Sequence, residues 1–282
     1  SAFAGSFGCR APKMIYMDNV DEILMSYSGS LRGVYRSNSF STESISWGYR
    51  FNPTGDCFDL SISNNGDTVY SVFSMAYNGG VNRSIDYGES WQNIHETEGD
   101  ENPFLIEVSD SLIYYVTANN KFYKSNDFGI SWTHTHTFVD SNLLSIQNFA
   151  SQDIITIGDA ILISFNGIGL QISYDYGDSW GKIDELNENQ LDHLLVKDNN
   201  LFVASQSGLY STIIGCTEEE AFNFNNNASI NDGSCIAKIY GCIDSLACNW
   251  DLLANTEDNT CTYPIEDYLD CEGNCINDTD ED

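Results

Sequence analysis

Between residues 13 and 214, short apolar runs alternate with clusters of Asn, Asp, Gly and Ser. The runs are rich in β-branched and aromatic side chains, which suit a pleated sheet and predict strands. They fall into five groups. KMIYMDN (13–19), EILMSYS (22–28) and GVYRS (33–37) make the first. FDLSIS (58–63), TVYSVFS (68–74) and VNRS (81–84), with an NNGD turn at 64–67, make the second, and FLIEVS (104–109), LIYYVT (112–117) and KFYKS (121–125) the third. A looser fourth group holds NLLSIQNF, DIITIG, AILISF and GLQIS; the fifth holds LDHLLVK, LFVAS and GLYST and ends near Ile214.

Three groups run into one octapeptide: SIDYGESW at 84–91, SNDFGISW at 125–132 and SYDYGDSW at 173–180. In Ser-x-Asp-x-Gly-x-Ser-Trp the Asp (Asp86, Asp127, Asp175) can accept backbone N–H bonds of its own turn. The Gly (Gly88, Gly129, Gly177) can take the positive φ such a turn needs. The leading Ser84, Ser125 and Ser173 open it, and Trp91, Trp132 and Trp180 start the outgoing strand and can cover the turn with a large ring. A degenerate copy, SNSFSTESISW (37–47), follows the first group, so that Trp47, Trp91, Trp132 and Trp180 stand 44, 41 and 48 residues apart. That is the length of a four-stranded propeller blade.

The octapeptide resembles the Asp-box, or bacterial neuraminidase repeat. The resemblance implies a β-propeller over 1–214 in which each box joins the third and fourth strands of a blade, at the outer edge and in a structural role. The expected fold is therefore all-β, with five four-stranded blades and a small disulfide-rich, loop-rich C-terminal region. The fifth group has three strands of its own. A strand from residues 1–12 would complete it and remove the open sheet edges, with Cys9–Cys57 as the closing staple; a loose N-terminal tail, an open array or blades supplied from elsewhere are the alternatives.

The remainder is a second kind of repeat: GCTEEEAFNFNNNASINDGSC (215–235) aligns without gaps to GCIDSLACNWDLLANTEDNTC (241–261). The Cys-x18-Cys spans pair Cys216 with Cys235 and Cys242 with Cys261, and Cys248 is expected to reach Cys271. This gives domains at 1–214, 215–240 and 241–282, the last holding the start of a further repeat, with Cys275 paired in a continuation. The region resembles acidic GC…DGSC repeats of large secreted proteins. Its aligned oxygen ligands, Glu218/Asp244, Asn223/Asn249, Asn225/Asp251 and Asp232/Asp258, suit Ca²⁺; solvated turns are the plain alternative, and no organic cofactor is expected.

Charge narrows the partners. Forty-two acidic residues against 11 basic ones give a formal net charge of −31, which repels phosphate backbones and anionic bilayers. Nine cysteines, seven of them after residue 215, favour an oxidising, extracellular setting. No apolar run approaches the ~18 residues of a membrane span. The first residues carry neither a signal peptide nor an initiator Met, which reads as a mature, processed chain. Sequons at Asn82, Asn227 and Asn277 could carry glycans in a eukaryotic or viral source, or arise by chance in an Asn-rich chain.

The Asp-box resemblance invites a sialidase, whose mechanism implies three arginines from several blades. All five arginines here precede residue 84, so that chemistry is not expected. His134 and His136 could share one strand face, though with no third ligand in sight. G-x-S-x-G and P-loop patterns are absent, and GIG at 167–169 reads as a hairpin turn. The expectation is a non-catalytic extracellular structural or adhesive module, a subunit of a surface or virion appendage or filament, binding other extracellular proteins, copies of itself or glycans. The alternative is a secreted lectin or glycoside hydrolase acting at the propeller's central face.

Overall fold

The computed structural model describes residues 13–27, 32–37, 46–51, 56–74, 78–98, 101–139, 150–183, 191–265 and 271–272. Among them every element is a β-strand. The first unit, through Ser211, is built as blades of a five-bladed propeller. Blade 1 holds β1 (Met14–Met17), β2 (Glu22–Tyr27), β3 (Gly33–Ser37) and β4 (Trp47–Phe51); blade 2 holds β5 (Asp56–Ile62), β6 (Val69–Ser74), β7 (Asn78–Ser84) and β8 (Gln92–Glu98). Blade 3 comprises β9 (Pro103–Ser109), β10 (Leu112–Thr117), β11 (Lys121–Ser125) and β12 (Thr133–Thr137), and blade 4 β13 (Ala150–Ile157), β14 (Ala160–Asn166), β15 (Gly169–Ser173) and β16 (Gly181–Lys182). Blade 5 begins with β17 (Leu191–Lys197), β18 (Asn200–Ser205) and β19 (Gly208–Ile214). Each of these is an antiparallel meander.

Polarity follows position in the blade. The second strands are buried on both faces, as in β10 LIYYVT and β14 AILISFN. The outermost β12, THTHT, is half-buried or exposed throughout. The first strands pack on one another, β1 on β5, β5 on β9, β9 on β13 and β13 on β17, which places them nearest the axis.

Three apolar clusters fill the seams between blades. Met17, Leu24, Val34, Leu60 and Val69 join blades 1 and 2; Tyr70, Val72, Ile106, Ile113 and Tyr115 join 2 and 3; Val116, Phe122, Ile154, Ile161 and Phe165 join 3 and 4. Trp91, Trp132 and Trp180 pack on these three clusters in turn, so each octapeptide Trp covers the seam with the preceding blade.

The NLLSIQNF strand, the interior of the degenerate copy and residues 1–12 lie outside the described residues, and so does the Cys9 half of the proposed staple; Cys57 is buried. The strand expected from residues 1–12 to complete blade 5 lies outside the described residues; among the described residues the end of β19 is followed by a short strand, β20 (Ala228–Ile230). β20 pairs in parallel with Ile213 and Ile214, the end of β19.

That pairing belongs to the second unit, which starts at Thr212. The parallel pair of β21 (Tyr240–Gly241) and β22 (Thr256–Glu257) repeats it 26 residues on. In each repeat the disulfide draws the chain back on its own entry: Cys216–Cys235 and Cys242–Cys261 both have Cα atoms 4.8 Å apart. The third bridge is Cys248–Cys271.

Candidate functional site

The innermost strands bring together one ionisable side chain from each blade. These are Lys13, just before β1, Asp59 on β5, Glu107 on β9, Asp153 on β13 and His193 on β17. Lys13 Nζ donates to Asp153 Oδ1 at 3.0 Å, 140 residues away in the chain. Asp59 and Glu107 also act on the ammonium electrostatically, and His193 Nδ1 lies 3.6 Å from Asp153 Oδ2. Register shifts at Cys57/Asp59, Ser151/Asp153 and Leu191/Leu194 mark β-bulges, a device that re-aims a side chain out of the pleat.

The carboxylates are engaged by the next blade's backbone. Asp59 accepts N–H bonds from Leu60 and Ile106, both at 2.9 Å. Asp153 repeats this with Ile154 at 3.1 Å and Leu194 at 3.0 Å. Glu107 Oε1 accepts from Thr156 N and Oγ1 at 3.1 and 3.2 Å, and its Oε2 accepts from Ser61 Oγ at 3.1 Å. A charge in such surroundings is stable only when paired and hydrogen-bonded.

Their protonation follows from that balance. Burial pulls the Lys13 ammonium down, but Asp59, Asp153 and Glu107 together hold it above the ordinary lysine range. Burial pushes Asp153 up; contact with His193, the charge of Lys13 and the Leu194 N–H outweigh it and leave this carboxyl below its usual range. At Glu107 burial prevails over Lys13 and the Ser61 bond, and the carboxyl is pushed up to about 7. Glu107 keeps some accessible surface, so it is deeply surrounded yet not sealed off.

The octapeptides sit away from this centre, between the third and fourth strands. In all three the Ser hydroxyl donates to the Asp at 2.7–2.9 Å and accepts the Gly N–H at 2.8–2.9 Å. The Asp accepts the N–H and the hydroxyl of the second Ser (Ser90, Ser131, Ser179), and the Trp Nε1–H donates to the Gly carbonyl at 3.0–3.2 Å. Hydrogen bonds from Ser131 and Ser179 hold Asp127 and Asp175 down at about 2.

Each turn is also held from the preceding blade. The residue before the leading Ser is basic in blades 1 to 3: Arg36 Nη1 donates to Glu89 at 2.8 Å, Arg83 Nη1 to the Phe128 carbonyl at 3.3 Å and Lys124 Nζ to Asp178 at 2.6 Å. These three cations lock octapeptides in place; none of them is in the central cluster.

Other predicted residues are dispersed. Asn82 is 1% exposed on β7, so its sequon is not offered by the folded chain; strand alternation turns this side chain inward, which the tripeptide does not encode. Asn227 is exposed, and Asn277 lies outside the described residues. His134 packs on Tyr123, whereas His136 packs on Phe138 and Trp180, a register shift separating their pairings. The GIG segment is the turn between β14 and β15.

The aligned oxygens of the acidic repeats serve their own turns. Asn223 and Asn249 each clamp the chain eleven to thirteen residues ahead, through Ser234 O and Ile236 N in one repeat and Thr260 O and Thr262 N in the other. Asn225, Asp251, Asp232, Asp258 and Asp244 each accept an N–H two residues on. Glu218 is exposed beside Cys216. Among the described residues the one gathering of potential His, Cys or carboxylate metal ligands is Cys242, Glu257 and Cys261, whose two sulfurs form a disulfide.

No local motif marks the central cluster, because its members stand one to a blade, tens of residues apart. A signal existed: positions 13, 59, 107, 153 and 193 are spaced by 46, 48, 46 and 40 residues, the same period as the tryptophans.

The fold defines a β-propeller protein with a disulfide-stapled C-terminal region. No family model matches the chain, and no curated protein does. Solved structures do. A GH74 enzyme from Niastella koreensis superposes with a TM-score of 0.56 at 14% identity over 71% of this chain and 35% of its own. A GH74 xyloglucanase from Xanthomonas campestris gives 0.52 at 14% identity, over 67% and 34%. A chain of a nidogen/laminin complex gives 0.53 at 10% identity, over 71% and 74%. The chain thus spans about a third of the length of the two GH74 enzymes; at these identities the likeness is one of fold.

Proposed function

We propose that this chain is a non-catalytic extracellular structural or adhesive module of the Asp-box type. Its propeller is a rigid surface for protein partners, further copies or glycans, and its acidic, disulfide-stapled repeats are the spacer of an appendage or filament. The observation that carries this reading is the engagement of the central carboxylates. Asp59, Glu107 and Asp153 each accept hydrogen bonds from the following blade, which suits a clasp between blades more than a pair of groups that must move protons. Fold likeness to glycoside hydrolases does not decide function, since one propeller fold hosts both catalysis and recognition. Calcium is proposed for the acidic repeats on composition alone.

A second reading has one specific support. Glu107, raised to about 7, is in the state a general acid of a glycosidase needs. One experiment separates the two. Full-length chain is screened for hydrolysis of neutral glycosides alongside Glu107→Gln, and its assembly is followed by electron microscopy with and without a calcium chelator. Assemblies without turnover support the module, and their loosening on chelation supports calcium. Turnover that Glu107→Gln abolishes overturns the module in favour of an enzyme.

A further inference from the structure

A cleft of about 270 Å³ lies between blades 2 and 3, remote in composition from the central cluster. Its wall includes Asn64, Asn65, Thr68 and Tyr70 of blade 2, and Asp110 and Phe128 of blade 3. The polar groups are already oriented. Asn64 Nδ2 donates to Asp110 Oδ1 at 2.6 Å, and Asn19 Nδ2 holds the Asn65 carbonyl at 3.0 Å.

Phe128 gives the cleft its exposed aromatic face. It occupies the position before the octapeptide Gly with φ of 59°, in the left-handed region, as do Tyr87 and Tyr176 at 57° and 58°. A bulky non-glycine residue is strained there, and Asn or Gly is the ordinary occupant. In the other two turns the aromatic ring has a structural contact: Tyr87 packs on the Leu24 and Val34 cluster, and the Tyr176 hydroxyl donates to Asp159. Phe128 is 54% exposed, and its contact with Arg83 is made by its carbonyl and not by its ring. The shared φ belongs to the turn itself, and Tyr176 is also exposed, at 43%; what Phe128 adds is an open ring face on the wall of the cleft.

We propose that this cleft binds a neutral carbohydrate. An exposed ring face suits the apolar C–H face of a pyranose, and the carboxamides, hydroxyl and carboxylate around it match ring hydroxyls that both donate and accept. Asp110, on a chain of net charge −31, disfavours anionic sugars and selects neutral ones. The cleft is just below the ~300–1,000 Å³ of drug-sized sites, so it takes one sugar ring of a longer glycan. The inference goes beyond the module reading and does not depend on it: a recognition cleft fits a scaffold or an enzyme equally.

The test titrates the full-length chain with neutral oligosaccharides of glucose, galactose, mannose, xylose and N-acetylglucosamine, and follows amide shifts of 63–70, 108–110 and 128. Phe128→Asn relieves the backbone strain while removing the ring, so it should keep or raise Tm yet weaken binding by about tenfold or more, the equivalent of about 1.4 kcal/mol. Tyr176→Asn, the matching change in another turn, should leave affinity unchanged. Binding confined to this cleft and lost in Phe128→Asn supports the proposal. No shifts up to the solubility limit of every sugar, or binding indifferent to Phe128→Asn, overturns it, as does a peptide that occupies the cleft when no sugar does.

Discussion

Gly177 shows how much a single position of the octapeptide does. Its φ is +85°, and an added Cβ would lie 2.2 Å from Phe122 of the preceding blade, a ring that is fully buried. Gly177→Ala therefore combines a left-handed alanine with overpacking and should cost about 3 kcal/mol. Gly208 also has a positive φ, +148°, but open space around it, so Gly208→Ala should show the backbone cost alone, about 1–2 kcal/mol. Denaturant midpoints measure both; equal losses would mean that the seam contact is unimportant. Acid titration gives a second check. Asp127 and Asp175, held down at about 2, contribute stability that is complete above the unfolded value of about 3.9 and lost as pH falls from there towards 2. Glu107 has the opposite sign. With its folded carboxyl raised to about 7, the unfolded chain ionises first, and stability declines as pH rises from about 4.3 to 7. Glu107→Gln, which can keep the Thr156 and Ser61 bonds, should flatten that decline; an unchanged pH profile would place its titration elsewhere.

At the scale of elements, what could be read from the sequence depended on how local the encoding is. β10 and β14 announce themselves by dense β-branched and aromatic runs, and the octapeptide turn is fixed by five side chains within eight residues. Cys216–Cys235 and Cys242–Cys261 follow from a repeated span in the same way. β20 did not, because its parallel partner is the entry of its own repeat, and three residues, ASI, carry no strand pattern. Nor did the side-chain face of Asn82, which depends on register with β6 and β8. The repeats illustrate what short-range encoding costs in core. Residues 215–265 bury few apolar side chains, chiefly Cys216, Ala221, Ile230, Cys242 and Ala247. Disulfide closure, worth about 3 kcal/mol for a loop of such length, must then carry the fold. Reductant under native conditions should release amide protection across 215–265 and leave β6, β10 and β14 protected, as hydrogen exchange would show. Persisting protection in 215–265 would point to another staple, a bound metal ion included.

The whole propeller is drawn together at its axis, where a residue just before β1 reaches β13. Lys13 is about one-third exposed, whereas Asp153 is nearly buried, so the two ends of this pair are not equivalent. Removing the lysine leaves a buried carboxylate with two backbone N–H bonds and His193 nearby but without its ammonium, and an uncompensated buried charge is costly. Lys13→Met should therefore destabilise by about 2 kcal/mol, at the low end for broken pairs because water reaches the lysine. Asp153→Asn can keep the Leu194 or Ile154 N–H bond and removes the charge that makes Lys13 necessary. In a double-mutant cycle, Lys13→Met should cost markedly less on the Asp153→Asn background, with a coupling of about 1–2 kcal/mol. Raising salt should leave most of that coupling intact, since partly buried pairs are poorly screened. A coupling near zero would mean that Lys13 is a solvated surface cation and that the blades are held by the Asp59, Glu107 and Asp153 backbone bonds alone. In that case the five-residue cluster would divide into separate pairwise clasps, each confined to one seam.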